Sequence, residues 1–444
     1  MPNSKLSTIV ARVALAVAIA GGAGGTAIAE EPKREGVAMS RTQVAGIVSE
    51  IRRTIADNYV IASKIPAIDK ALAADLEAGR FDGLDGRPLA EALSASLFEA
   101  ARDKHLAIQF DPQRAAMMKG PMGDEITEGP EWEQMARGFN HGFREMRVLE
   151  GNVRYANLEG FVWTGEKSAE AFDTTMRFLK EGDAAIIDLR YNGGGSPKAI
   201  TYLLSHFVAP GTPLMTFYMG GGKTPEHEVA LAALPAGRMT GKPLYVLTSR
   251  MSISAAEAFA AIVRSEKLGE VVGETTAGAA YRNSYFPVAG RYLLSVSVGR
   301  GVVGEGDWEG TGIAPTVAAD AGQALDTAHL HALRKVAAAA AGPDRHRMEA
   351  KAALLDAQLH PVKPALPLEA YAGGYGDRTI SLDGGGLHYQ RQGGPKTALV
   401  PLGDNLFIVA GDPSTRVEFA ASGATAKSLD VIRSDGSRQT QERR

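Results

Sequence analysis

The chain has 444 residues, 45% of them hydrophobic and 22% charged, with a formal net charge of −3; this is enough for two or three domains and a sizeable core. The charge balance gives no basic footprint for nucleic acid and no polybasic block for an anionic membrane. There is no cysteine, which excludes disulfides, thiolate catalysis, cysteine-ligated zinc and a lipid-modified N-terminal cysteine.

In chain order, residues 1–29 carry Lys5 and Arg12 around an apolar run from Ile9 to Ala20, then glycines, then Ala27-Ile28-Ala29 before two glutamates. This layout predicts a secretory signal peptide and an exported protein, periplasmic or extracellular. The apolar run is too short for stable membrane insertion. Residues 38–110 predict an N-terminal helical domain, since "RTQVAGIVSEIRRTIADNYV" and "PLAEALSASLFEAARDKH" place apolar residues three to four apart. Residues 111–149 are irregular and too few for another ordinary domain.

From 150 to 320 strand and helix alternate. "NVRYANLEGF", "AAIIDLR", "PLYVLTS" and "GEVVGET" read as strands, separated by helices at "SAEAFDTTMRFLKEG", "PKAITYLLSHF" and "SAAEAFAAIVRSE". The rhythm predicts βαβ units and a mostly parallel sheet. Residues 321–365 read as an alanine-rich helical linker. Residues 366–444 turn to short strands and glycine turns, a small all-β domain; Tyr371, Gly373 and Tyr375 form a Y-x-G-x-Y pattern whose aromatics read as core. The fold class is therefore α/β (α+β) multidomain: helical region, α/β core, C-terminal β domain.

Function in such sheets gathers at loops beyond the carboxyl ends of strands. Two loops stand out. "IIDLRYNGGGSP" runs from a buried strand through Gly193, Gly194 and Gly195 into a helix; glycines there let backbone N–H groups approach a ligand, or simply serve a tight turn. Neither phosphate-loop pattern is present. In "LTSRMSISAAEAFAAIV" Ser254 and Glu257 form S-x-x-E ahead of an apolar helix, the pattern of a capping box. The same serine sits at the positive end of the helix dipole, where the Ala255 amide and a glycine amide such as that of Gly194 would hold an oxyanion. Cap and nucleophile are both open on these residues. The nine histidines show no H-E-x-x-H or comparable spacing, so neither a metal nor an organic cofactor is implied.

Taken in order, "DLRYNGGG", "LTSRMSISAAE" and "VVGETTAGAA" resemble the tail-specific (C-terminal-processing) serine protease family, in its branch of interphotoreceptor retinoid-binding proteins and the tricorn protease. The resemblance spans residues 40–320 and implies a ClpP/crotonase-like catalytic core, a serine nucleophile at Ser254 and a peptide or protein substrate. The lysine that such proteases use falls at Ala279 here, so a Ser–Lys dyad is absent. The tricorn-like branch instead implies His105, in "AARDKHLAIQF", as general base and Glu309, in "DWEGTGIAPTV", as its carboxylate partner. Lys104 stands where that branch has a serine, and is an alternative base. Only about 40 residues lie between His105 and Leu149, too few for a PDZ domain. An esterase acting through the same residues, or a binding protein for an apolar or peptide ligand on the same fold, are the competing readings.

Overall fold

The computed structural model describes residues 39–118, 122–123, 130–304 and 306–444. The leader expected at 1–29 lies outside them. Three helices open the described chain, Arg41–Asn58, Ile65–Glu77 and Gly86–Ala101. The first is capped by a Ser40–Gln43 box, with the Ser40 N–H donating to Gln43 Oε1 at 2.9 Å. Its buried residues Val44, Ile47, Val48, Ile51 and Ile55 fall on one stripe, as a 3.6-residue period requires.

That stripe finds its partner far along the chain. The helices share a core with Phe286, Val288, Tyr292, Leu294, Val296 and Val298 of the antiparallel strands Tyr281–Val288 and Tyr292–Val302. Directly after the third helix, strand Ala107–Phe110 pairs with the latter strand in the register Ala107↔Ser295 to Phe110↔Tyr292. The helical region expected at 38–110 is thus built into the remainder of the molecule rather than packed as a domain with a core of its own.

The central sheet has the order Val317–Ala318, Glu270–Gly273, Leu244–Thr248, Ala184–Asp188, Val153–Leu158, Phe143–Leu149. All neighbours are parallel except the last pair. Strands Ala184–Asp188 and Leu244–Thr248 are buried throughout, which explains their uninterrupted apolar runs. Helices Glu166–Lys180, Pro197–Leu204 and Ala255–Ser265 contribute to the core on one face. The other face is covered by Ala324–Ala339, whose Ala324, Ala328 and Ala332 pack against Tyr155, Ile186, Tyr245 and Val272. The first helix of the expected linker is therefore a layer of the α/β core; small side chains at four-residue spacing let it lie close to the sheet.

The C-terminal strands, from Gly373–Tyr375 to Arg438–Glu442, form one eight-stranded antiparallel sheet in sequence order. A Tyr375↔Arg443 bridge and the Arg444 N–H to Gly374 carbonyl bond (2.9 Å) curl the last strand back to the first, giving a nearly closed barrel. Tyr371, Tyr375, Phe407 and Phe419 fill it edge to face. Among the described residues no helix is long and apolar enough to cross a membrane.

Candidate active site

The turn after strand Leu244–Thr248 carries three serines with different duties. Ser252 Oγ donates to the Leu189 carbonyl at 2.7 Å and accepts from the Ser249 N–H at 2.9 Å, while Ser249 Oγ donates to the Arg190 carbonyl. These two stitch the turn to the neighbouring strand end. Ser254 is held at φ 57°, ψ −111°, a region a residue with a Cβ enters only under strain of about 1–3 kcal/mol. Ser254 stands at the start of helix Ala255–Ser265, on the positive end of the dipole.

Glu257 fixes that turn. Its buried carboxylate accepts from the Ser254 N–H (2.9 Å), Thr276 Oγ1 (2.6 Å), the Gly278 N–H (2.6 Å) and the Ala279 N–H (2.8 Å). The S-x-x-E spacing therefore gives more than a cap. It ties the serine to loop 276–279, which carries Ala279. Burial lifts the Glu257 pKa, against the pull of its four donors.

The glycine loop lies over the serine. Gly194, at φ 98°, packs so tightly that a Cβ there would stand 3.0 Å from Ser254 Cβ, and a Cβ at Gly195, at φ 137°, would stand 2.3 Å from the Phe161 carbonyl oxygen. Asn192 organises this approach. Its Nδ2 donates to the Leu158 carbonyl (2.8 Å), its carbonyl accepts from the Ile253 N–H (3.1 Å), and its Oδ1 accepts from the Gly194 N–H (2.9 Å). The Gly194 amide, expected to donate to an oxyanion, therefore has Asn192 Oδ1 as its partner here. The Gly195 and Ala255 N–H groups make no hydrogen bond among the described residues, and both residues line one pocket with Ser254. Sequence reading missed Asn192, whose signal was its place immediately before the three glycines.

The remaining wall of that pocket is apolar: Pro197, Ile200, Met215, Phe217, Ala258, Ala279, Ala280, Tyr281 and Trp308, with Arg282 at its edge. Its free volume is about 30 Å³, on the scale of one water or a methyl group.

The segment that carries His105 is fixed by strand Ala107–Phe110, sewn into the sheet two residues later. Lys104 Nζ donates to the Ala277 carbonyl, clasping the loop that Glu257 holds from inside. The His105 N–H donates to Asp103 Oδ1 at 2.8 Å, and its Nδ1 is buried without a partner. Burial pushes the imidazole below its usual pKa; Asp103 opposes this and Lys104 adds to it. Glu309 Oε2 accepts from the Ala280 N–H at 2.7 Å. Burial raises the Glu309 carboxyl to about 7, opposed by the Ala280 N–H and Lys104 and aided by Asp103 and Glu257. The structure thus gathers Ser254, Glu257, Lys104, loop 276–280 and Glu309 in one neighbourhood, with His105 beside Lys104. Glu309, expected as the carboxylate partner of His105, accepts here from the Ala280 N–H, and His105 Nδ1 is without a partner. No group of three or more potential metal ligands exists among the described residues.

Two family models match the chain, and between them they take in both halves of this neighbourhood. The N-terminal domain of Peptidase_S41 in eukaryotic IRBP matches residues 33–136, which include His105, and peptidase family S41 matches residues 151–319, which include Ser254 and Glu309. The chain belongs to peptidase family S41. This S41 chain is similar to the carboxy-terminal processing protease CtpB of Bacillus subtilis, 27% identical over 177 residues. The match covers 39% of this chain and 35% of CtpB, so it spans about a third of that relative's length. Among solved structures it resembles the photosystem II D1 C-terminal processing protease (17% identity, TM-score 0.43, 64% of this chain and 94% of that one). It also resembles the tricorn protease (13% identity, TM-score 0.43, 71% and 37%).

Proposed function

We propose that this S41 chain is an exported serine peptidase that cleaves peptide bonds after small apolar residues. The observation that carries the reading is the pairing of a strained Ser254 with two uncommitted N–H groups, those of Gly195 and Ala255, at the mouth of a pocket of about 30 Å³. Ser254 Oγ attacks the carbonyl carbon as its proton passes to His105 Nε2, and the carbonyl oxygen becomes an oxyanion between the two amides. His105 then returns the proton to the leaving amine, and a water repeats the sequence on the acyl-enzyme. Glu309 acts at one remove, holding Ala280 in the pocket wall. Lys104 spends its ammonium on the Ala277 carbonyl, so it serves as a clasp rather than as a base.

Fluorophosphonate labelling of the protein tests this reading, with Ser254→Ala and His105→Ala as comparisons. The expected result is stoichiometric labelling of Ser254, lost in Ser254→Ala and reduced about 10²-fold or more in His105→Ala. A folded wild type that stays unlabelled between about pH 6 and 9 contradicts it and favours a binding protein. Cleavage of a peptide library sets the specificity: Met215→Ala is expected to move the preference from alanine-sized to leucine-sized residues by roughly 10-fold or more, the worth of a methylene or two in such a pocket.

A further inference from the structure

The S41 chain leaves two buried polar atoms without partners two residues apart, Asp103 Oδ2 and His105 Nδ1. A native interior pairs nearly all such atoms, and those it leaves alone ask for an explanation. Here each is the natural complement of the other: a carboxylate oxygen accepts, and an imidazole Nδ1–H donates. Asp103 is 1% exposed, and its second oxygen, Oδ1, already takes the His105 backbone N–H at 2.8 Å. The carboxylate is therefore fixed against the histidine's own main chain. Arg102, at φ 51° in the left-handed region, ends helix Gly86–Ala101 and directs residues 103–105 into the site. Asp103 goes inward and Lys104 outward to Ala277.

Glu309, the other carboxyl candidate, is less suited. Its Oε2 is committed to Ala280, and a carboxyl half-protonated near neutrality is a weak partner for an imidazolium. The buried Tyr59 hydroxyl is a further orphan. Its pKa is raised first by burial, then by the charge of Asp103 and a hydrogen-bonding approach to it, then by Tyr281 and Glu309, so the hydroxyl is a second donor beside that carboxylate. The titratable groups around the pair are Lys104 on the same segment, Tyr59 after the first helix, Tyr281 on the long hairpin and Glu309 on the loop after it.

We infer that Asp103 is the positioning residue of His105: as Ser254 gives its proton to Nε2, a small rotation closes an Nδ1–H to Asp103 Oδ2 hydrogen bond that fixes the tautomer and stabilises the imidazolium. This inference rests on the peptidase reading, in which His105 is the base. The proton balance is simple. Nδ1 keeps its proton throughout, Nε2 gains and then loses one, and none passes to Asp103.

The test combines imidazole ¹⁵N NMR of histidine-labelled full-length protein with labelling kinetics, on wild type, Asp103→Asn and Glu309→Gln. Expected in wild type is the Nδ1–H tautomer of neutral His105. In Asp103→Asn its pKa falls by about one unit or more, and the rate constant for Ser254 labelling drops about 10²-fold. Glu309→Gln is expected to leave the His105 tautomer unchanged. An Nε2–H tautomer in wild type overturns the inference without any variant having to fold. So does a His105 pKa that moves in Glu309→Gln and not in Asp103→Asn. If Asp103 governs the tautomer while wild-type Ser254 is never labelled, the peptidase reading fails and the Asp103–His105 pairing stands.

Discussion

Replacing Glu257 by glutamine tests whether the serine turn and loop 276–279 are one mechanical unit. The carboxylate serves two donors on each oxygen: Thr276 Oγ1 and the Gly278 N–H on Oε1, and the Ser254 and Ala279 N–H groups on Oε2. An amide keeps one acceptor oxygen and offers an NH₂ where the other was. Turning the NH₂ toward the Thr276 side is the cheaper choice. The threonine hydroxyl, which already accepts from the Ile313 N–H at 2.7 Å, can rotate to accept once more, which strands the Gly278 N–H and leaves the hydroxyl's own hydrogen without its acceptor. One orphaned buried donor costs about 1–3 kcal/mol, and the charge-assisted character of the surviving bonds is lost as well. We expect Glu257→Gln to lose about 2–4 kcal/mol, and Glu257→Ala, which strands all four donors, at least about 4 kcal/mol, from a total typically near 5–15 kcal/mol. Urea unfolding followed by circular dichroism measures both, and labelling of Ser254 under native conditions measures the site. A Glu257→Gln loss within about 0.5 kcal/mol, the range of an ordinary surface change, refutes the count of donors. A full loss of stability with wild-type labelling refutes the coupling.

Ser254→Gly is expected to stabilise the fold by about 1 kcal/mol while abolishing labelling, because glycine enters φ 57° without the strain the serine carries; a melting temperature below wild type counts against strain. Gly195→Ala is expected to cut labelling about 10²-fold by displacing one oxyanion donor, since its Cβ would meet the Phe161 carbonyl oxygen at 2.3 Å. Wild-type labelling kinetics in that variant would move the donor elsewhere. Glu309, raised to about 7, binds a proton in the folded state that an unfolded carboxyl releases near 4.5. Its contribution to stability is therefore complete below about pH 4.5 and lost as pH rises through about 7, by about 3 kcal/mol at most. Glu309→Gln should flatten stability over that interval in denaturant titrations, and an unchanged pH profile refutes the shift.

Much of this was legible locally. The parallel strands declared themselves as apolar runs four to eight residues long, and the helices as three-to-four spacing, because each element must bury its own stripe whatever it later packs against. Ser254 was visible for the same reason: a strand, a short polar turn and S-x-x-E before an apolar helix specify a helix start from a handful of adjacent residues. The aromatics Tyr371 and Tyr375 read as core and fill the barrel.

What the local signals left open depends on contacts that no short window contains. Which glycine amide is uncommitted turns on where the Asn192 side chain points. That Ala324–Ala339 is a layer rather than a linker depends on the sheet face left bare by strands that begin as far back as Val153. Residues 103–105 arrive beside loop 276–280 only because Ala107–Phe110 pairs with Tyr292–Val302. Sequence by itself determined the elements and the turn that carries Ser254, since propensity and periodicity act between neighbours. The tertiary structure alone decided which amide Asn192 occupies and which loop Lys104 and Glu257 hold, because hydrogen bonds are allotted by geometry within about 3 Å and the chain brings those partners together from afar.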